Sequence, residues 1–210
     1  DFIRGTVGTA LGATLFKGHW LEGGTSPAST SLVTIVRDQN AMDQSLSVDK
    51  TVLKKMLDKT LIEFTGQKSV KEAWFSLIKP DDKIGLVPTP HLNPTHDEVV
   101  EAVRVSLMEA GIPENRIVSA QGSIDKPEAC TALIPMPGLK AHWLTGIGTV
   151  LKDYILYSGR PRDYHGENNA KLGEIWNYPE VKGKTKLVLV DALYPLCDKG
   201  PQPDPRYKWP

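Results

Sequence analysis

Between Ile134 and Gly166 the chain reads IPMPGLKAHWLTGIGTVLKDYILYSGRPRDYHG, its densest mixture of cations, imidazoles and glycines. Lys140 and His142 are two residues apart. On an extended segment they point to the same side. There they can meet one anionic group: a carboxylate, a phosphate or a carboxylated cofactor. Thr145-Gly146-Ile147-Gly148-Thr149 follows. Its Gly146 and Gly148 let backbone approach a ligand closely. The spacing matches neither G-x-G-x-x-G nor a Walker loop, so no nucleotide is implied. Lys152 adds a third cation, and His142 and His165 are the candidates for proton transfer. The plainer alternative is a surface crossing with unrelated charges.

Three further groups have chemical potential. His91, Asn93 and His96 fall in PTPHLNPTHDE, after a strand-like run. His91 and His96 are the candidate metal ligands, but the spacing is not a standard zinc pair and no cysteine is near. Solvated or cap-associated histidines are the simpler reading. Asp191 ends the apolar run TKLVLV, where an acid serves a ligand, a metal or a turn. Cys130 and Cys197 form one disulfide in an oxidising compartment or stay as two thiols. Two cysteines cannot hold a four-thiolate cluster, so no iron–sulfur cluster is expected from this chain.

The elements that must position these residues follow from periodicity. Ser31–Arg37 (SLVTIVR) is β-branched and short, predicting a buried strand. Asp49–Thr65 predicts a helix: Leu53, Met56, Leu57, Leu61 and Phe64 lie on one face, and Gly66 stops it. Lys50, Lys54, Lys55 and Lys59 lie mostly off that face and read as solvated. Ser69 to Glu72 is a capping-box pattern opening a second helix through Ile78, with Trp74 in the core. Lys83–Val87 is a strand. Thr95 to Glu98 is a second capping box, and Val99, Val100, Val103 and Leu107 supply the next helix with an apolar face ending at Gly111. Arg116–Ala120 is the following strand. Residues 83–120 therefore form a strand–helix–strand unit, which normally makes a parallel crossover. Open α/β sheets place ligands beyond the carboxyl ends of such strands. Thr185–Val190 predicts another parallel strand ending at Asp191.

The 210 residues carry 25 basic and 25 acidic side chains, so bulk charge gives no sign of a nucleic-acid partner. Sixteen prolines and 18 glycines imply long irregular segments, clustered at 23–30, 79–94, 134–138 and 195–210. The expected fold is α/β, a mostly parallel sheet flanked by helices. Residues 1–20 read as an export-signal-like segment, 21–30 as a linker, 31–201 as a single α/β domain, and 202–210 as an extended, truncated tail. The apolar run from Gly5 to Phe16 is shorter than the about 20 residues that span a bilayer. It fits the hydrophobic part of an export signal. Asp1-Phe2-Ile3-Arg4 resembles the second half of a twin-arginine motif.

Several segments resemble the bacterial and archaeal domain-of-unknown-function family 362. They are VRDQNAM (36–42), MLDKTLIEFTG (56–66), AWFSLIKPDDKIGL (73–86), THDEVVEAVRVSLMEAGIPENRIV (95–118), PGLKAHWLTGIGTVLK (137–152), DYHG (163–166) and KLVLVDALYPLCDKGP (186–201). The resemblance implies an α/β fold and twin-arginine export, with no established reaction. Lys140 and His142 match the family's Lys-x-His. Val87-Pro88-Thr89 stands where the family commonly has Lys-Pro-Asn, and Lys152-Asp153 where it has Lys-Asn. Shortening between Ser119 and Ile134, and the end at Pro210, imply missing segments. Together these features predict a periplasmic or extracytoplasmic protein of unknown cofactor. It would be an accessory, non-catalytic subunit held by other protein subunits and by membrane association through residues 1–20. The alternative is an enzyme or binding protein using a Lys/His pocket for a small anionic ligand or a metal.

Overall fold

The computed structural model describes residues 5–6, 31–119, 130–142, 146–148, 150–164 and 166–196. All of 1–20 except Gly5–Thr6, the linker 21–30, His165, Cys197 and the tail 202–210 lie outside the described residues, as does the His142 side chain. The chain divides into two compact units, residues 1–73 and 74–210.

In the first unit, β1 (Gly5–Thr6) pairs antiparallel with β2 (Thr34–Ile35). The buried strand expected over 31–37 is corrected here. Only two of its residues are strand, and Leu32, Val33 and Ile35 are exposed. β-Branched residues favour extended backbone, but burial needs a covering layer that propensity does not supply. Helix α1 (Lys50–Thr65) ends where expected and starts one residue later than Asp49, which is its N-cap. The Asp49 carboxylate accepts from the N–H groups of Thr51 and Val52, and Gly66 closes the helix in the left-handed region. Leu53, Leu57 and Leu61 are its buried stripe. Helix α2 (Val70–Leu77) starts beside Ser69, whose Oγ accepts from the Glu72 N–H at 3.2 Å.

The second unit holds a parallel three-stranded sheet. Its centre is β3 (Ile84–Pro88), flanked by β4 (Ile117–Ser119) and β5 (Ala132–Met136) in the order β4-β3-β5. The expected strand–helix–strand unit is present: α3 (Asp97–Ala110) joins β3 to β4. All five β3 residues are buried. Gly85 leaves room there: a Cβ would lie 2.9 Å from Leu133 Cδ2 and 3.0 Å from the Cys130 sulfur, so those side chains would have to shift. Cys130 is a free, buried thiol, raised in pKa first by burial. Trp74 is core as expected, its indole N–H donating to Ser106 Oγ on α3 at 2.9 Å.

A second sheet follows, in the order β7-β6-β8. Strand β6 (Gly138–His142) runs antiparallel to β7 (Gly146–Gly148) and parallel to β8 (Asp191–Leu196). Helix α4 (Val150–Tyr157) packs on β3 and β5. Its buried residues share a core with Val87, Leu133, Leu172 and Ile175. The short helix α5 (Pro161–Tyr164) and a 3-10 segment (Gly166–Asn177) complete that layer.

Residues 185–190 were expected as a regular strand, and this too is corrected: the strand starts at Asp191 instead of ending there. The run still lies along β5. Leu133 N–H donates to the Lys184 carbonyl, Lys186 N–H to the Leu133 carbonyl, Leu189 N–H to the Pro135 carbonyl and Asp191 N–H to the Pro137 carbonyl. Pro135 and Pro137 have no N–H to return, so the ladder has gaps and regular pairing is lost.

Candidate functional site

The loop after β3 lies at the carboxyl edge of the parallel sheet, next to the start of α3. Thr95 N–H donates to the Thr89 carbonyl at 3.0 Å, and Thr89 N–H donates to Thr95 Oγ1 at 2.9 Å. The Thr95 hydroxyl in turn donates to the Met136 carbonyl at the end of β5. The expected Thr95–Glu98 capping box is therefore corrected. The hydroxyl is already engaged across the sheet, the N-cap is His96, and that cap makes no side-chain hydrogen bond to the helix. Leu92 (φ 61°) and Asn93 (φ 142°) hold backbone that non-glycine residues rarely adopt. The turn is secured by Asn93 Nδ2 donating to the Leu139 carbonyl at 2.9 Å. Its backbone sits so close to β6 that a Cβ at Gly138 would overlap the Asn93 carbonyl.

Two carboxylates are buried around this edge. Asp191 Oδ2 accepts from both the His96 backbone N–H (2.8 Å) and His96 Nδ1 (2.7 Å), and Oδ1 accepts from the Leu193 N–H (3.1 Å). An Nδ1 proton shared with a carboxylate fixes tautomer and ring orientation. The second carboxylate is Asp153, 2% exposed. Its Oδ1 accepts from Thr89 Oγ1 at 2.7 Å, and Thr89 Oγ1 accepts from the Gly138 N–H at 3.1 Å. Asp153 Oδ2 is buried and has no hydrogen-bond partner among the described residues. Burial raises the Asp153 pKa to about 7, against the lowering effects of the Thr89 hydrogen bond and the Lys140 charge.

Lys140, half-buried on β6, is pushed down in pKa by burial and held up by Asp153. Lys152 is pushed down by burial and then by the Lys140 charge. Two cations from different elements thus feel one another in partly desolvated surroundings, beside an acid that is ambivalent about its own charge.

Of the expected ligand-binding residues, Lys140 and Lys152 come together. Gly146 pairs with His142 and Gly148 with Lys140, so both glycines line the strand that carries that lysine. Asp191 faces Gly138 in register at the other end of β6. His91 is exposed, and His96 is the Asp191 partner. Among the described residues no three His, Cys, Asp or Glu side chains are placed to hold a metal ion. Asp153, Thr89 and Thr95 are not among the site residues that the sequence reading proposes, and Asn93 enters it only as a member of the His91–His96 loop. One signal for Asp153 is present in the sequence: it shares the helical stripe Val150, Tyr154, Tyr157, where an acid must be buried. An open cleft of about 420 Å³ lies elsewhere, lined by Asp97, Val100, Glu101, Arg104 and Ser119. Its Arg104 is 3.9 Å from Glu101, and none of the groups above lines it.

Fold and site define an α/β protein with a buried acid and two lysines at the carboxyl edge of a parallel sheet. No protein-family model, curated protein or solved structure matches the chain. Among the described residues no helix is long and apolar enough to cross a membrane.

Proposed function

We propose that the carboxyl edge of the β4-β3-β5 sheet binds a small anionic molecule, with Lys140 and Lys152 holding its charge and Asp153 exchanging a proton beside it. One observation carries this reading: a nearly fully buried carboxyl, one oxygen of which has no partner among the described residues, is coupled to Lys140, which is coupled in turn to Lys152, and the charged forms of both lysines are disfavoured. Like charges brought together in a partly desolvated place repel, and a bound anion offsets that repulsion. The His96–Asp191 pair supplies an oriented imidazole at the same sheet edge, suited to acid–base work. His142 and His165 belong to this proposal as further proton-transfer candidates, and Gly146 and Gly148 as the backbone that approaches the ligand.

Calorimetric titration of the purified chain with inorganic phosphate, sulfate, glycolate and acetate tests the reading. Binding of at least one anion, weakened about 100-fold or more in the Lys140→Ala, Lys152→Ala double variant, is the expected result. Equal affinity in the double variant overturns it.

A second reading is the accessory subunit of an exported, family-362-like assembly in the periplasm. It is favoured by exposed Leu32, Val33 and Ile35 on the β2 segment, 55%, 56% and 40% accessible, a run of apolar side chains suited to a partner surface. Native mass spectrometry of the protein from its natural source is expected to retain a partner chain; a lone chain with a processed N-terminus sinks this reading.

A further inference from the structure

We infer that Asp153 makes this site selective for an anion carrying its own hydrogen-bond donor, such as hydrogen phosphate or an α-hydroxycarboxylate, over an equally charged anion without one. The inference rests on the anion-site reading and adds the chemical class of its ligand. Its basis is the unequal treatment of the two Asp153 oxygens. Oδ1 receives the Thr89 hydroxyl proton at 2.7 Å, while Oδ2 is buried with no partner among the described residues. Thr89 cannot serve both: its single proton goes to Oδ1, and its oxygen already accepts from the Gly138 N–H. The neighbouring Tyr154 hydroxyl is paired with Thr185 Oγ1.

The charged and titratable groups around Asp153 set the preference. Lys140 of β6 couples to it directly, Lys152 precedes it on α4 and couples to Lys140, and Tyr154 follows it. Thr89, at the end of β3, is neutral. On this inference, an anion drawn to Lys140 comes to the acid coupled to that lysine and meets its Oδ2. An ionised carboxylate accepts a proton donor there and repels a bare oxygen. A site that must hydrogen-bond a hydroxyl rejects an analogue lacking it far more strongly than an apolar pocket rejects a missing methylene. Protonation removes the conflict, because a neutral Asp153 donates to any oxyanion. With the acid titrating at about 7, discrimination is strong above that pH and fades below it.

The test measures calorimetric affinity of the full chain for inorganic phosphate against sulfate at about pH 8, where both are dianions, and for glycolate against acetate, monoanions throughout, at about pH 8 and about pH 6. At the higher pH the expected preference for the donor-bearing member is about 100-fold, narrowing below about tenfold at the lower pH. The pair showing the larger preference distinguishes a phosphate from a hydroxy-acid ligand. Asp153→Asn, whose amide donates, is expected to lose the preference at both pH values. If that variant does not fold, the wild-type pH comparison decides alone. Equal affinities within both pairs at about pH 8, with binding still weakened about 100-fold or more by the Lys140/Lys152 double variant, overturn this inference and leave the anion site standing. Absence of binding by all four anions overturns both.

Discussion

Asp153 and Asp191 are both buried, at 2% and 4% exposure, and they live in opposite circumstances. Asp191 receives three N–H donors: two from His96, on the loop before α3, and one from Leu193, two residues along its own strand. Asp153 receives one hydroxyl and keeps an oxygen with no partner among the described residues. Gly138 stands between them, its N–H on the Thr89 hydroxyl that serves Asp153 and its register position opposite Asp191. A carboxylate with three donors is a strut that joins a loop to a strand. A carboxylate with a vacant oxygen is an unfinished network, of the sort that stability alone does not favour and a ligand or proton completes.

The largest expected effect concerns the linkage of stability to pH. Burial raises the folded-state pKa of Asp153 from 3.8 to about 7. The folded chain therefore keeps a proton that the unfolded chain has released. This contribution is fully present below about pH 4, is lost as pH rises towards about 7, and is constant above that. Its size is on the order of 4 kcal/mol. Denaturant unfolding from about pH 4 to pH 8 is expected to show that decline in the wild type and to lack it in Asp153→Asn. An Asp153→Asn profile that declines as steeply as the wild type breaks the contrast.

Next comes the satisfied acid. Asp191→Ala removes the acceptor of three donors and leaves the His96 ring without its carboxylate. The expected loss is about 3 kcal/mol, read by denaturant unfolding at neutral pH. A loss below about 0.5 kcal/mol, the level of an ordinary surface substitution, would make Asp191 no strut.

The smallest effect sharpens the Asp153 side. Thr89→Val deletes the hydrogen bond that lowers the Asp153 pKa. Its carboxyl titration, followed by carbon NMR, is expected to move upward by roughly tenfold in proton affinity. A midpoint that stays put or moves down would mean that Thr89 does not tune the acid.

Local patterns were legible where neighbours along the chain decide the outcome. The α1 stripe and its Asp49 and Gly66 ends depend on residues within a few turns, and so does the Ser69 cap of α2. The strand–helix–strand unit around α3 was legible for the same reason. The pairing of Lys140 with Lys152 was also anticipated, since both sit in one conspicuous stretch. What escaped was settled by distant partners. Thr95 fits a capping box by spacing, yet its hydroxyl belongs to Met136, 41 residues away. Thr89 drew attention only as a departure, standing where an amide was expected, yet it is the residue that holds Asp153, 64 residues further on. The run 31–37 has the composition of a buried strand and lies exposed. The run 185–190 follows β5, but Pro135 within that strand and Pro137 just past it thin its ladder.

The sequence by itself determined the class of fold, the helix limits and the stretch in which the cations gather. Those depend on periodicity, capping and turn chemistry, which act over a few residues. Only the tertiary structure decided which acid is satisfied and which is not. Asp191 lies 95 residues from His96, and no local rule links them. Asp153 carries a signal in its buried helical stripe, but that one of its oxygens finds no partner among the described residues is a property of everything packed around it.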